Sequence, residues 1–327
     1  MDALSPEPIM RLAAGFMAAK HLFTANELGL FEALADDPAT LDALAARTGL
    51  TPRTARISAD AMVALGLIER DGDAYRNSAL AATFLSGTGP ADMRPFLRFW
   101  DHISYPSWIG LADALGKGQV NEIVGMDAET QRIASAGIEA VLAGPAAALA
   151  NTVKFTDRQR LLDVGGGTGS WSIAVVRQHP HMTATVVDLP KVADIARGRI
   201  ADAGLTSRID VVSGDAFDAA LPAGHDVCLV ANLIHYFSPE ENQQLLRRIR
   251  RAVETGARLL LADFWTDSTH TEPQMAALMA GEFAVQVRHG DVYSVSEAQQ
   301  WLEGTGWQLG EHLPLAGPVS LITAEAR

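Results

Sequence analysis

From Arg160 onward the chain carries five short apolar runs, 161–164, 184–187, 209–212, 227–230 and 258–262, each separated from the next by a stretch with helical spacing. Runs this short suit strands rather than helices. Strands that alternate with helices make a parallel sheet covered on both faces, because a parallel neighbour is reached only through a crossover. This half of the chain is therefore expected to be a doubly wound α/β layer structure, whose ligands bind at the carboxyl ends of the strands. A late helix is expected to end within 301–307, and the run 319–323 to supply an edge strand.

The amino-terminal part follows another rule. Segments 9–22 and 28–34 have amphipathic helical spacing. Thr40 is placed to cap a further helix that Gly49 closes, and Thr51-Pro52 opens one that ends near Gly66. Asp71-Gly72 then sits between two short strand-like runs as a hairpin turn. Helix, helix and hairpin predict a winged helix. Between residues 40 and 80, Arg47, Arg53, Arg56, Arg70 and Arg76 are balanced by Asp42, Asp60, Glu69, Asp71 and Asp73, so the basic face that DNA binding needs is missing and a dimerisation module is expected. Residues 91–155 read as mostly helical, with Phe96, Phe99, Trp100, Tyr105 and Trp108 grouped in one stretch. The expected organisation is a winged-helix dimerisation domain at 1–90, a helical linker contributing to a substrate pocket at 91–155, and a catalytic domain at 156–327.

Composition narrows the partners. The 327 residues carry a formal net charge of −13, which opposes binding to a polyanion. The single cysteine, Cys228, lies inside an apolar run and allows no disulfide framework. The first residues lack the basic and apolar regions of a secretory leader, and no apolar run reads as long enough to span a membrane. A cytoplasmic protein with a small-molecule substrate, and without nucleic-acid or membrane partners, is expected.

The sharpest chemical signal is Leu161-Leu162-Asp163-Val164-Gly165-Gly166-Gly167-Thr168-Gly169, a strand entering a glycine-rich turn and then a helix from about Ser170. Such a turn lets bare backbone approach a ligand. A dinucleotide fingerprint would place its third glycine at Ser170, whereas Gly165, Gly167 and Gly169 follow an Asp-x-Gly-x-Gly-x-Gly pattern. Asp188 ends the second strand, where a carboxylate accepts from ribose hydroxyls. Asp215 ends the third, placed to accept from an adenine amine while Phe217 packs on the ring.

With Asp163 to Gly169, Asp188-Leu189-Pro190 and Gly214-Asp215-Ala216-Phe217 in this order, the chain resembles class I methyltransferases dependent on S-adenosyl-methionine (SAM). Together with the winged helix, the whole chain resembles the dimeric small-molecule O-methyltransferases, which include plant caffeate and flavonoid enzymes and bacterial natural-product tailoring enzymes. The resemblance implies a Rossmann-like SAM-binding domain, a homodimer, and transfer of a methyl group to a hydroxyl of an aromatic or polyketide-like molecule. It assigns Asp163, Gly165, Gly167, Asp188, Leu189, Asp215, Ala216, Phe217 and Asn232 to the cofactor.

It also implies that His235, in Asn232-Leu233-Ile234-His235-Tyr236-Phe237, is the general base. The family usually has His-Asp-Trp there, and only the histidine is kept. The carboxylate that steadies the base maps to Asp263, an Asp in place of Glu and therefore shorter in reach, and the family's second glutamate aligns near Val292. Trp100, Tyr105, Met279, Phe283 and His289 are candidate substrate contacts. Two alternatives stand beside this reading. One is C-methylation of an α-keto acid with His235 and His289 on a metal, although no metal site is the primary expectation. The other is a protein that keeps the fold but performs different chemistry.

Overall fold

Thr40 accepts a hydrogen bond from the Ala43 amide and opens the helix Leu41–Thr48, and Gly49 at φ 70° closes it. Thr51 caps Pro52–Ala64 in the same way. In this computed structural model, which describes residues 4–89, 91–118, 126–218 and 220–327, these helices belong to a unit of Met1–Pro106 with Asp127–Val141. The same unit holds the helices Glu7–Ala13 and Gly15–Glu27 and a three-stranded antiparallel sheet. Its strands are β1 (Ala39–Thr40), β2 (Ile68–Asp71) and β3 (Ala74–Asn77), in the order β1-β3-β2. Helices, hairpin and third strand together form a winged helix around Phe23, Leu30, Phe31, Leu44, Met62, Ile68 and Tyr75.

The expected helix over 28–34 is reduced to the short 3-10 turn Glu32–Leu34. Gly29 at φ 67° turns the chain out of the preceding helix, so Leu30, Phe31 and Leu34 reach the core from a turn rather than from a helical stripe.

The other unit is Ser107–Met126 with Leu142–Arg327. It is built on β4 (Arg160–Val164), β5 (Thr183–Asp188), β6 (Ile209–Ser213), β7 (Val227–Ala231), β8 (Arg258–Asp263), β9 (Trp307–Pro314) and β10 (Ser320–Ala326). These form one sheet in the order β6-β5-β4-β7-β8-β10-β9. The pairs β4–β5, β5–β6, β4–β7 and β7–β8 are parallel, and β10 runs antiparallel to β8 and β9. The run at 319–323 is thus not an edge strand. It lies one strand inside, and β9, unread from the sequence, takes the edge. Only Trp307 of β9 is buried, so its polar residues face water as an edge allows.

The unbroken apolar runs reflect burial on both faces. Leu161 and Leu229 join Trp171, Val175 and Phe155 on one side. Leu162, Val164, Cys228 and Val230 join Leu245, Leu246 and Trp301 on the other, as the two-residue period of a strand demands. Burial pushes the Cys228 thiol up to about 12, so it packs as an unreactive apolar group.

One helix, Glu129–Thr152, does pass the length and composition test for a membrane span. The sequence reading missed it because its apolarity comes from alanine. In its second half Ala146, Leu149 and Ala150 belong to the core.

Burial in the sheet sets a contrast between two leucines. Leu229→Ala, in the central strand, should cost about 2–5 kcal/mol of stability. Leu115→Ala, at a side chain 70% exposed, should stay within about 0.5 kcal/mol. Urea unfolding reads both, and similar losses would contradict this core.

Candidate active site

The strand order reverses between β4 and β7, and their outgoing loops part there to leave a crevice at the carboxyl edge of the sheet. The singled-out residues gather on this edge: the glycine turn after β4, Asp188 at the end of β5, Asp215 after β6, Asn232 to His235 after β7 and Asp263 at the end of β8.

Gly165, Gly167 and Gly169 all have positive φ, at 67°, 59° and 83°. At Gly165 a Cβ would come within 2.5 Å of the Leu233 side chain. At Gly167 no atom lies within 4 Å of where a Cβ would stand, so the backbone is bare toward open space. The Gly167 amide donates to Asp188 Oδ2 at 2.8 Å and the Leu189 amide to Oδ1 at 2.7 Å, which ties the turn to the end of β5. Burial raises the Asp188 carboxyl above the ordinary Asp range, against the pull of these two amides. Leu189 itself is exposed.

Asp163 lies beneath the turn, fully buried. Ser172 donates to its Oδ2 at 2.6 Å, while Oδ1 has no partner. Burial, with the Asp188 charge adding to it, pushes this carboxyl up to about 7. Asn232 sits in the left-handed region at φ 51°, and its buried Oδ1 also lacks a partner. Two acceptors without donors, beside a glycine turn with free space, suit a ligand rich in hydroxyl and amine donors.

Asp215 is exposed and accepts from the Phe217 amide at 2.8 Å. The Phe217 ring meets Phe237 edge-on at 4.9 Å, and the Ala216 carbonyl accepts from Arg248 at 2.7 Å. The residues assigned to an adenosyl group therefore fit its chemistry: Asp188 and Asp215 as acceptors, the bare glycine backbone, and the apolar Leu189 and Phe217.

The second half of the site is a buried pair. His235 Nδ1 lies 2.6 Å from Asp263 Oδ1, with the two residues 4% and 1% exposed. The Phe264 amide also donates to Oδ1 at 2.8 Å, and the Ile234 amide to Oδ2 at 3.1 Å. Although aspartate is shorter than glutamate, the short helical turn Ile234–Tyr236 brings the ring to it. Phe283 stacks on the imidazole at 3.7 Å and 14°, Phe264 lies at 5.9 Å, and Tyr236 at 4.3 Å. Nδ1 is held by the carboxylate, and among the described residues Nε2 has no hydrogen-bond partner.

The aligned position of the family's second glutamate, Val292, is buried in an apolar cluster with Ala276 and Phe283, against which Met279 packs. It supports the ring through Phe283 instead of by charge. Trp100 and Tyr105 pack against the core of the amino-terminal unit. His289 is exposed, and its Nδ1 pairs with Glu241 at 3.4 Å. The structure therefore does not bring His289 to the His235–Asp263 pair. Among the described residues no group of three His, Cys, Asp or Glu side chains could hold a metal.

Glu282 escaped the sequence reading, and Tyr236 figured in it only as a departure from the family's motif. Glu282 is a buried carboxylate that accepts from the Trp108 and Gln286 side chains. Its signal was a single charge in the apolar helix Gln274–Gln286. The Tyr236 hydroxyl is pushed up to about 12 by burial, with the Asp263 and Glu282 charges adding to it.

Comparison with known proteins shows the family. Residues 105–308 match the O-methyltransferase domain family and residues 10–87 the O-methyltransferase dimerisation domain. The 3-hydroxy-5-methyl-1-naphthoate 3-O-methyltransferase of Streptomyces sahachiroi is 34% identical, over 92% of this chain and 89% of its own. The tetracenomycin polyketide synthesis 8-O-methyl transferase of Streptomyces glaucescens is 32% identical, over 97% and 95%. Among solved structures, the S-adenosylmethionine-dependent methyltransferase SibL is 30% identical with a TM-score of 0.82, over 98% of this chain and 99% of its own. The chain belongs to the O-methyltransferase family.

Asp163 gives the site a measurable pH signature. An unfolded chain releases this proton near pH 4, whereas the folded protein holds it to about 7. The folded state binds more protons across that window, so its stability falls as pH rises through it. Asp163→Asn abolishes the titration. The variant should therefore gain on the parent protein between about pH 4 and 7 and keep that gain at pH 8. Urea unfolding of the ligand-free protein at pH 4 and pH 8 checks this, and an equal difference at both would mean that the carboxyl is not desolvated.

Proposed function

We propose that this chain is a homodimeric, cytoplasmic, SAM-dependent methyltransferase that methylates a hydroxyl of a small aromatic or polyketide-like molecule, with His235 as general base. The observation that carries the reading is the buried His235–Asp263 pair at 2.6 Å, set on the same sheet edge as the glycine turn. The relatives whose names specify O-methylation of a naphthoate and of a polyketide support the substrate class.

Bound SAM supplies an electrophilic methyl group on a sulfonium. The glycine backbone, Asp188, Asp215 and Asn232 hold the adenosyl and amino-acid parts, with Leu189, Ala216 and Phe217 covering the apolar surface. A phenol with a pKa near 10 is a weak nucleophile at neutral pH until its proton is taken. With Asp263 accepting from Nδ1–H, the imidazole presents its lone pair at Nε2, the nitrogen that takes the proton. The Asp263 carboxylate then stabilises the imidazolium. Phe283 and Phe264 fix the ring and exclude water, so the base does not swing away from the acceptor oxygen. The reading includes neither a nucleic-acid nor a membrane partner, which the charge of −13 supports.

His235→Ala tests the mechanism. Calorimetry should find SAM affinity nearly unchanged, while turnover falls roughly 10²–10⁴-fold. The deficit should narrow between about pH 8 and 10, where a phenol ionises unaided. A loss that is flat with pH, or no loss at all, would remove the base from the mechanism.

The homodimer rests on the helices Glu7–Ala13 and Gly15–Glu27, where Ile9, Met10, Leu12, Phe16 and Met17 are all more than half exposed. An apolar face of this extent calls for cover. Light scattering should give twice the chain mass at micromolar concentration, and Leu12→Glu with Phe16→Glu should halve it. A parent protein that is already monomeric would contradict this assembly.

A further inference from the structure

Tyr236 stands where the family resemblance implies aspartate, and its place explains what a phenol does there. Its ring lies 4.3 Å from His235 at 52° and 6.1 Å from Phe283 at 66°, within the aromatic packing that holds the base. A phenylalanine would fill that packing equally well. The hydroxyl has no hydrogen-bond partner among the described residues, and Tyr236 is only half-buried, so the group is open to water or to a ligand. The hydroxyl adds nothing to that packing, and the partner it can take lies outside the chain.

The chemistry of the neighbours says what that is. The two charges that act on the hydroxyl are both carboxylates, Asp263 and Glu282, and burial acts in the same direction. All three hold the proton on the oxygen, so Tyr236 is a donor throughout the working pH range. Next to it, His235 has Nδ1 committed to Asp263 and offers Nε2 as an acceptor. The site therefore offers an acceptor and a donor on two neighbouring rings whose centroids lie 4.3 Å apart. The matching ligand edge carries a hydroxyl proton for His235 and, adjacent to it, an oxygen lone pair for Tyr236.

We propose that Tyr236 is a specificity residue whose hydroxyl donates to a carbonyl oxygen beside the hydroxyl being methylated, so that the site selects aromatic substrates with a carbonyl ortho or peri to the acceptor. This rests on the reading of His235 as base in a methyltransferase and adds the substrate pattern. In such molecules the phenolic proton is held internally by the carbonyl. Tyr236 satisfies that carbonyl in its place and frees the phenolic proton for Nε2, with the proton passing to His235 as the oxygen–methyl bond forms and the sulfonium–methyl bond breaks.

The test uses the full chain with SAM and a matched probe pair, ortho-hydroxyacetophenone and ortho-ethylphenol, which differ in the carbonyl. Tyr236→Phe removes one oxygen and keeps the ring. It should lower kcat/KM for the ketone about tenfold, the worth of one neutral hydrogen bond at the upper end of its range. The ratio of kcat/KM for the ketone to that for ortho-ethylphenol should fall by the same factor, with SAM affinity and Tm retained. An equal loss on both probes would assign Tyr236 a merely structural role, and an unchanged ratio would overturn the proposal, as would a parent protein that methylates ortho-ethylphenol but never the ketone. Failure of the underlying methyltransferase reading looks different, because SAM would then not bind and neither probe would be methylated.

Discussion

The parallel pairing of β4 with both β5 and β7 is the constraint on which the rest depends. Parallel neighbours put all their carboxyl ends on one edge, and the reversal of order between β4 and β7 opens that edge where the glycine turn leaves the sheet. The residues on this edge come from strands whose chain positions span about a hundred residues, from Asp163 to Asp263. Each needs only to end its own strand to reach the site. Hydrogen bonds then lock the strand ends together: Gly165 to Val187, Gly214 to Asp188 and Asn232 to Ala262.

Such an edge carries concentrated negative charge in little water. Asp163 and Asp188 are both raised by burial, and the Asp188 charge makes the Asp163 charge harder to hold. Asp188 offsets this with two backbone amides, while Asp163 has one hydroxyl and an oxygen without a partner. Proteins place such unfavourable groups at functional sites, where a ligand supplies the missing partners. The orphan Oδ1 of Asn232 belongs to the same pattern. The fold tolerates these groups because the sheet beneath them is packed on both faces, with Leu161, Leu162, Val164 and Leu229 fully buried.

What could be read in the sequence was what local chemistry determines. The five parallel strands are apolar because both faces are covered, the glycines mark positive φ, and Thr40 and Gly49 mark a helix start and stop. His235 and Asp263 came from a motif, and the structure places them 2.6 Å apart. The failures share a cause. β9 is an edge strand with one buried side chain, so its pattern resembles a loop. The segment at 28–34 is apolar because a turn serves the core, and periodicity alone cannot tell that from a helix. Glu282 and Tyr236 gain their importance from neighbours distant in the chain, Trp108 and Asp263, which no local window contains. His289 shows the opposite error: an imidazole near a functional segment in sequence that the fold directs outward to Glu241.

The support of His235, the proposed base, also differs in kind from what the resemblance implied. A histidine held by two carboxylates is oriented mostly by charge, whereas here one carboxylate does that work and an aromatic wall does the rest. Asp263 accepts from Nδ1 and is itself fixed by the Ile234 and Phe264 amides, so its position is set by backbone. Phe283 lies nearly parallel to the imidazole, and Val292 backs Phe283 where a second acid would have stood. A ring held by packing keeps its orientation without a second carboxylate on the imidazole itself. In the proposed reaction this limits the negative charge at the ring itself, because the nucleophile becomes an oxyanion as its proton leaves and a further carboxylate there would oppose it.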